Sequence, residues 1–287
     1  MKPVTTDDGL ALHLRTWPAA NSSRGVAVLV HGLGEHIDRY DHVARRLNGL
    51  GFTVVGYDHR GHGRSPGPRG GIPADDTLCA DLGRVLRAAR ASVPGPLTLI
   101  GHSLGGLIAG RFVAEGLSAT PAAWWCRVDA LVMSSPALDP GTNAIQKLLL
   151  ALVAPMLPNL AVNNGLKVDW ISRDAGVVKA YADDPLVHDR ITGRLGLFVA
   201  RQGPAVIAAA PRWRTPTLLM WAGADRCVAP GGSAAFAAGA PRDVVTVREW
   251  PGLFHEIFNE PEQEDVLQAM SDWLAARVPE AVQPAHA

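Results

Sequence analysis

Residues 101–106 read Gly-His-Ser-Leu-Gly-Gly and separate two segments with different hydrophobic patterns. The apolar run Leu97–His102 predicts a strand, and the segment Leu104–Glu115 predicts a helix. A Gly-x-Ser-x-Gly motif between a strand and a helix is typical of a tight turn that raises the serine above a sheet. This setting argues against a chance match in a glycine-rich chain. Ser103 is therefore the predicted nucleophile.

Strands and helices alternate along most of the chain on both sides of this motif. Apolar runs bounded by turn residues predict further strands at Val26–His31, Thr53–Asp58, Ala130–Ser134, Thr217–Ala222 and Val244–Glu249. Helical patterns predict helices at Asp41–Leu50, Asp75–Ser92, Gly232–Ala238 and Pro261–Arg277. Such alternation, with nearly continuous Val, Leu and Ile runs, predicts a parallel sheet covered by helices on both faces. Leu10–Trp17 suits an antiparallel edge strand, and the predicted fold class is α/β.

One long interval, from Pro136 to about Arg214, breaks this alternation because it contains no convincing strand. A structureless loop of roughly 75 residues is improbable inside a compact domain. We therefore predict a helical cap at 136–214, inserted into a core of residues 1–135 and 215–278, with a frayed tail at 279–287. Within the cap, the apolar stretch Leu148–Val153 is either a buried helix or a lid that touches lipid aggregates.

The composition limits the classes of function. The 287 residues carry 27 basic and 27 acidic side chains, whereas proteins that bind nucleic acid usually present a basic surface. Cys79, Cys126 and Cys227 are widely spaced and predict neither a disulfide framework nor a metal cluster, which suits a reducing compartment. Neither a signal peptide nor an apolar run of about 20 residues is evident. We expect a cytoplasmic protein with no transmembrane segment and no nucleic-acid partner.

The predicted serine nucleophile needs a base, because a serine hydroxyl alone is weak. In folds with this serine turn, the base is a histidine that follows both the serine and the acid in the chain. Three histidines follow Ser103: His188 lies in the predicted cap, His286 in the tail and His255 just after the last predicted strand. The loop after that strand would bring His255 to the carboxyl edge of the sheet. His255 is therefore the predicted base.

The acid that orients this base must also reach the carboxyl edge of the sheet. Asp225 follows the predicted strand Thr217–Ala222 directly, in a loop where open α/β sheets place their sites. Its competitor, Asp243, precedes the last strand and should lie at the opposite edge. Asp225 is therefore the predicted third member of a Ser-Asp-His triad.

Two backbone amides are candidates for an oxyanion hole. The loop His31-Gly32-Leu33-Gly34 follows a predicted strand, in the position from which one amide should come. The second amide should belong to Leu104, the residue after the nucleophile. We therefore expect the N–H groups of Leu33 and Leu104 to bind the oxyanion, while their side chains are free to vary.

Taken together, these motifs resemble the monoacylglycerol lipase and lysophospholipase-like branch of the α/β-hydrolases over nearly the whole chain. The resemblance rests on five elements: HGLGEH at 31–36, DHRGHGRS at 58–65, GHSLGG at 101–106, GADR at 223–226, and His255. It implies an α/β-hydrolase fold with an inserted cap, and hydrolysis of a carboxylic ester in a single-chain lipid. Such a triad requires no cofactor.

The resemblance also implies a set of substrate-binding residues. Glu35, Arg39 and the cap residue Tyr181 occupy positions that help to accommodate a glycerol head, and His102 stands near that pocket. The alternative for Glu35 and Arg39 is an ion pair that braces the loop, and the alternative for Tyr181 is packing within the cap. His59 and His62 in the 58–65 motif are not expected to bind metal, because no cysteine or carboxylate cluster accompanies them.

The predicted function is therefore release of fatty acid from a monoacylglycerol through an acyl-enzyme intermediate. The same triad would also serve a lysophospholipase, or a short-chain carboxylesterase or thioesterase. A different class of function, a non-catalytic binding protein on the same fold, usually lacks one member of the triad, and here all three are present. Transient contact of the cap with a membrane or micelle surface would accompany a lipid substrate.

Overall fold

A seven-stranded sheet runs through the centre of the computed structural model, which describes residues 3–20, 24–141 and 151–278. The strands of the described residues are β1 Val4–Thr5, β2 Ala11–Leu12, β3 Leu14–Trp17, β4 Val26–Val30, β5 Thr53–Tyr57, β6 Leu97–His102, β7 Ala130–Ser134, β8 Ala161–Asn163, β9 Arg190–Thr192, β10 Thr217–Ala222 and β11 Val245–Trp250. The sheet has the order β11-β10-β7-β6-β4-β5-β3, and only β3 pairs antiparallel. The predicted α/β class with a mostly parallel sheet is confirmed.

Helices cover both faces of this sheet. Those with described bounds are α1 Asp41–Gly49, α2 Thr77–Ser92, α3 Leu104–Glu115, α4 Ala175–Asp183, α5 Gly193–Ala209, α6 Pro230–Gly239 and α7 Gln263–Arg277. Alternate residues of β4 enter two separate cores: Val28 packs with α2 and α3, whereas Leu29 packs with α1 and α7. All five residues of β4 are buried, as expected of a strand covered on both faces. None of the described helices combines the length and the apolar character needed to cross a membrane.

The predicted edge strand Leu10–Trp17 is divided in the structure. Only β3 joins the main sheet, while β2 pairs with β1 in a separate two-stranded ribbon. His13 lies outside both ladders, and its N–H donates to the Ser65 hydroxyl at 2.9 Å. The other predicted strands of the sheet differ from the observed ones by at most one residue at either end.

Residues 136–214 contain two short strands, so the expectation of a segment without strands was wrong. β8 and β9 pair antiparallel and each has three residues, which is too short for a hydrophobic period to be recognised. Residues 142–150, which include the first half of the predicted apolar stretch Leu148–Val153, lie outside the described residues. Leu152 and Val153 are 61% and 44% exposed, so a buried position is wrong for these two. The division into core and cap stays a prediction.

Residues 136–214 lie between the neighbouring strands β7 and β10 and are called the inserted segment. Backbone hydrogen bonds join it to the loops at the carboxyl edge of the sheet. The His188 N–H donates to the Gly34 carbonyl at 2.8 Å, and the Thr192 N–H donates to the Gly70 carbonyl at 3.0 Å. A side-chain contact, His36 Nε2 to Asp184 Oδ2 at 2.8 Å, lies in the same region. The inserted segment therefore rests directly on the loop that follows β4.

Candidate active site

Ser103 occupies a strained turn between β6 and α3. Its φ is +53°, a value that a residue with a side chain rarely adopts and that costs about 1–3 kcal/mol. A Cβ added at Gly101 would lie 2.3 Å from the Gly105 carbonyl oxygen, and one added at Gly105 would lie 2.1 Å from the Val30 oxygen. Both glycines are therefore required by close backbone contacts, which hold the Ser103 side chain at the carboxyl edge of the sheet.

Asp225 and His255 meet in the loops that follow β10 and β11. The His255 Nδ1 lies 2.7 Å from Asp225 Oδ2, while Asp225 Oδ1 accepts the Cys227 N–H at 2.8 Å and the Val228 N–H at 3.0 Å. His255 is 5% exposed and lines the same cavity as Ser103. The structure thus brings the three predicted triad residues to one place, from three separate loops.

The pKa of His255 lies above the ordinary value for imidazole. Burial by itself lowers this pKa, but the negative charge of Asp225 and its hydrogen bond raise it by more. His102 behaves in the opposite way, because burial and the neighbouring His255 together lower its pKa to about 4. The rings of His102 and His255 lie 4.8 Å apart, close enough for a charge on the His255 ring to disfavour one on His102.

The predicted oxyanion donors lie beside the nucleophile. A Cβ added at Gly32 would approach the Ser103 Cβ to 3.2 Å, which places the loop after β4 against the serine turn. Within the described residues, the amides of Leu33 and Leu104 donate no hydrogen bond to the protein. Two unused N–H groups next to a serine could stabilise a developing negative charge.

A buried network of three charges lies behind this loop. Arg39 Nη1 donates to Glu35 Oε2 at 2.6 Å, and the two Nη atoms of Arg39 each donate to one Glu256 carboxylate oxygen at 2.7 Å. The Arg39 guanidinium also stacks over the Tyr181 ring, 4.7 Å from its centroid. Burial raises the pKa of Glu35, but the charge of Arg39, the neighbouring His102 and the hydrogen bonds from Tyr40 and Gly32 together lower it by more. Sequence reasoning missed Glu256, whose position after His255 was the only available signal.

A cavity of about 280 Å³ opens above the triad. Of the predicted substrate-binding residues, Glu35, His102 and Tyr181 line it, and Arg39 is not among its lining residues. The inserted segment contributes apolar side chains to its wall: Leu166, Val168, Ile171 and Val187. The cavity therefore combines apolar side chains with the polar groups of Glu35, His102 and Tyr181, which suits an ester with a hydrocarbon chain.

One group of described residues has the composition of a metal site. Ligand atoms of Asp225, Cys227 and His255 lie within 4.8 Å of one another. Both Asp225 oxygens already accept hydrogen bonds, one of them from His255. The carboxylate oxygens of Asp225 and the Nδ1 of His255 are therefore satisfied without an ion. His59 and His62 do not belong to this group, and each packs against the ring of His31.

Known proteins resemble this chain over most of its length. The Hydrolase_4 family model, described as serine aminopeptidase S33, matches residues 21–262. A monoacylglycerol lipase of Mycolicibacterium smegmatis is 32% identical over 94% of this chain and 95% of its own. The phospholipase YtpA of Bacillus subtilis is 30% identical over 88% of this chain and 96% of its own. The crystal structure of a Paleococcus ferrophilus monoacylglycerol lipase superposes with a TM-score of 0.81, at 35% identity over 93% of this chain and 99% of that one.

Proposed function

This chain belongs to the Hydrolase_4 family of α/β-hydrolases, and from that premise we propose that it is a serine hydrolase that releases fatty acid from monoacylglycerols. The activity class is hydrolysis of carboxylic esters, as the similarity to monoacylglycerol lipases over most of the chain indicates. The observation that carries the proposed mechanism is the 2.7 Å contact of His255 with Asp225, in the cavity that Ser103 also lines.

In the proposed reaction, the Ser103 Oγ attacks the ester carbonyl while His255 Nε2 takes its proton. Asp225 holds the proton on His255 Nδ1 and stabilises the imidazolium that forms. The amides of Leu33 and Leu104 bind the tetrahedral oxyanion, and its collapse expels glycerol, which receives the proton from His255. Water, deprotonated by His255, then attacks the acyl-enzyme. Its collapse releases the fatty acid and returns the proton to Ser103.

We propose that Tyr181 and His102 face the glycerol head. Both line the cavity, and the Tyr181 hydroxyl would lie 3.6 Å from a Cβ built on Gly34, in the loop that precedes Glu35. A diol needs such donors and acceptors, since an unpaired buried polar group weakens binding of the wrong ligand. Glu35 also lines the cavity, whereas the bonds of Arg39 favour the alternative in which it braces the loop.

A substrate panel tests the proposed function. Monoacylglycerols of increasing chain length, a diacylglycerol, a triacylglycerol and a lysophospholipid are compared by kcat/KM. We expect a monoacylglycerol to exceed the diacyl and triacyl lipids by at least about tenfold, because further acyl chains would have to share the same cavity of about 280 Å³. A preference for lysophospholipid would favour the second candidate function, a lysophospholipase, which the similarity to phospholipase YtpA supports. A preference for triacylglycerol would reject both.

The pH dependence of hydrolysis should report the raised pKa of His255. His255 must be neutral to act as a base, so kcat/KM falls as the pH drops through its pKa. Because Asp225 raises that pKa, the acid midpoint should lie above the ordinary imidazole value of about 6.5. The measurement is a kcat/KM profile from about pH 3.5 to 9 with a soluble ester. A midpoint near the pKa of His102, which is lowered to about 4, would contradict the assignment of the base to His255.

We further propose that the inserted segment touches lipid surfaces through an exposed apolar face. Its members are Leu152, Val153, Met156, Leu157, Leu160, Val162 and Leu166, and each is at least 38% exposed. Leu166 also lines the cavity, so this face continues into the site. Apolar side chains gathered beside a lipid-binding cavity are typical of a surface that enters a lipid interface. The cytoplasmic location stays a prediction.

Replacing Leu152 and Met156 with serine should separate lipid-surface binding from catalysis. Both side chains are more than half exposed, so their loss costs little folding stability but removes apolar area from the contact. We expect vesicle binding and turnover of micellar monoacylglycerol to fall about tenfold, with a soluble ester unaffected. Val247→Ser is the matched control, because Val247 is 42% exposed on the edge strand β11. Equal losses on both substrates would indicate a packing role instead.

A further inference from the structure

The Glu35–Arg39–Glu256 network connects the two loops that carry the proposed catalytic groups. Resting on the proposed function, we infer that Arg39 is a positioning residue that couples the oxyanion loop after β4 to the histidine loop after β11. Glu35 is its contact on the first loop and Glu256 its contact on the second. The resemblance of the sequence to a lipase branch implied a role in glycerol binding for Arg39 and none for Glu256.

On the oxyanion side, Glu35 holds the backbone next to the proposed donor. Its Oε1 accepts the Gly32 N–H at 2.6 Å and the Tyr40 hydroxyl at 2.7 Å. Gly32 directly precedes Leu33, so the direction of the Leu33 N–H depends on where Glu35 stands. The second oxygen of Glu35 is held by Arg39. Two short hydrogen bonds, through Glu35, thus connect the Arg39 guanidinium to the backbone next to the Leu33 amide.

On the histidine side, Glu256 holds the backbone next to the proposed base. Its N–H donates to the Ile171 carbonyl at 2.8 Å, and its Oε2 accepts from Asn259 Nδ2 at 2.8 Å. Its carboxylate also accepts the two-pronged hydrogen bond from Arg39, a geometry that fixes both distance and angle. Because Glu256 follows His255 directly, this clamp fixes the main chain from which the imidazole projects.

Burial and bonding favour this role over direct recognition of substrate. The side chains of Glu35, Arg39 and Glu256 are 4%, 12% and 5% exposed. Both hydrogens of Arg39 Nη1 are used, one for each carboxylate, and the face of the guanidinium is covered by Tyr181. Lysine, with a single ammonium group, cannot reproduce a fork that grips two carboxylates at once. The two carboxylates and the Tyr181 ring therefore hold the Arg39 guanidinium within the protein.

Two variants, Arg39→Lys and Glu256→Gln, test the coupling on two substrates. One substrate is a monoacylglycerol and the other is p-nitrophenyl butyrate, which has no glycerol. We expect kcat to fall about 10- to 100-fold on both substrates with KM changed less than about threefold, since misplacement by about 1 Å can cost 100-fold. The rate at which a fluorophosphonate labels Ser103 should fall by a similar factor.

Arg60→Lys is the matched control for the loss of a buried fork. Arg60 is 4% exposed, donates hydrogen bonds to Asp8 and Asp81, and is not among the residues that line the cavity. We expect Arg60→Lys to lower Tm as much as Arg39→Lys while kcat stays near the unmodified value. A loss confined to the monoacylglycerol, with raised KM, would show head recognition and overturn the inference, as would unchanged kcat in Glu256→Gln.

The labelling measurement separates this inference from the proposed function. If the unmodified protein labels rapidly but hydrolyses no monoacylglycerol, the proposed substrate is wrong, and the labelling rates still decide the coupling. If labelling is equally fast in the unmodified protein and both variants, the coupling is wrong and the proposed substrate is unaffected. Neither result depends on the other.

Discussion

Replacing Ser103 with alanine is expected to reduce kcat for ester hydrolysis by about a millionfold, the order of loss that follows removal of the serine from a comparable triad. The reason is that the proposed reaction has no acyl acceptor other than the Ser103 Oγ, whose attack the Leu33 and Leu104 amides and the His255 base assist. The measurement is turnover of p-nitrophenyl butyrate, with a fluorophosphonate to count the active serines. Covalent labelling should disappear together with activity.

The Ser103→Ala variant should keep its fold. Alanine retains the Cβ and adds no volume, so the turn at φ +53° is neither relieved nor further strained. Its Tm should therefore stay within about 2 °C, because a change confined to a partly exposed hydroxyl is worth only tenths of a kcal/mol. Activity that survives at more than about one part in a thousand, in protein free of contaminating esterase, would refute Ser103 as the nucleophile.

Replacing Asp225 with asparagine is expected to lower kcat about 10,000-fold, nearly as severe a loss as that of the serine. The amide of asparagine has the size of the carboxylate, and its oxygen can still accept the Cys227 and Val228 N–H groups. Its NH₂ group would then face His255 Nδ1 and favour the wrong tautomer, with the proton on Nε2. His255 could no longer accept the serine proton.

Asp243→Asn is the matched control for this change. Asp243 is exposed and precedes β11, at the sheet edge opposite to the triad. The kcat of Asp243→Asn should therefore change less than about twofold. For any residual activity of Asp225→Asn, the acid midpoint of the kcat/KM profile should no longer lie above pH 6.5. The reason is that the carboxylate charge that raises the His255 pKa is gone. If Asp243→Asn were the more damaging variant, the acid of the triad would be misassigned.

Local patterns in the sequence were sufficient to predict the α/β class and most strand positions. Strands such as β4 and β6 are buried on both faces, so they appear as continuous apolar runs that need no knowledge of their neighbours. The candidate triad could be predicted because parallel strands all end at one edge of the sheet. A residue that directly follows a strand, such as Asp225, is therefore placed by topology alone.

Other features could not be predicted because their signals are short or non-local. The three-residue strands β8 and β9 have no period to detect, and β8 is exposed along its length. The exposure of Leu152 contradicts what its apolar character predicts, because only the packed structure shows which apolar residues find no partner. The bond from Arg39 to Glu256 joins residues 217 positions apart, which no spacing rule links.

Local patterns along the chain thus specify the candidate chemistry: a serine in a turn flanked by two required glycines, with an acid and a base after later strands. Packing of distant segments specifies how these groups are held. Burial of Glu35, Arg39 and Glu256 makes their charges dependent on one another, since an unpaired charge in a water-poor interior is costly. Such dependence arises only when distant segments pack together, and no local pattern encodes it.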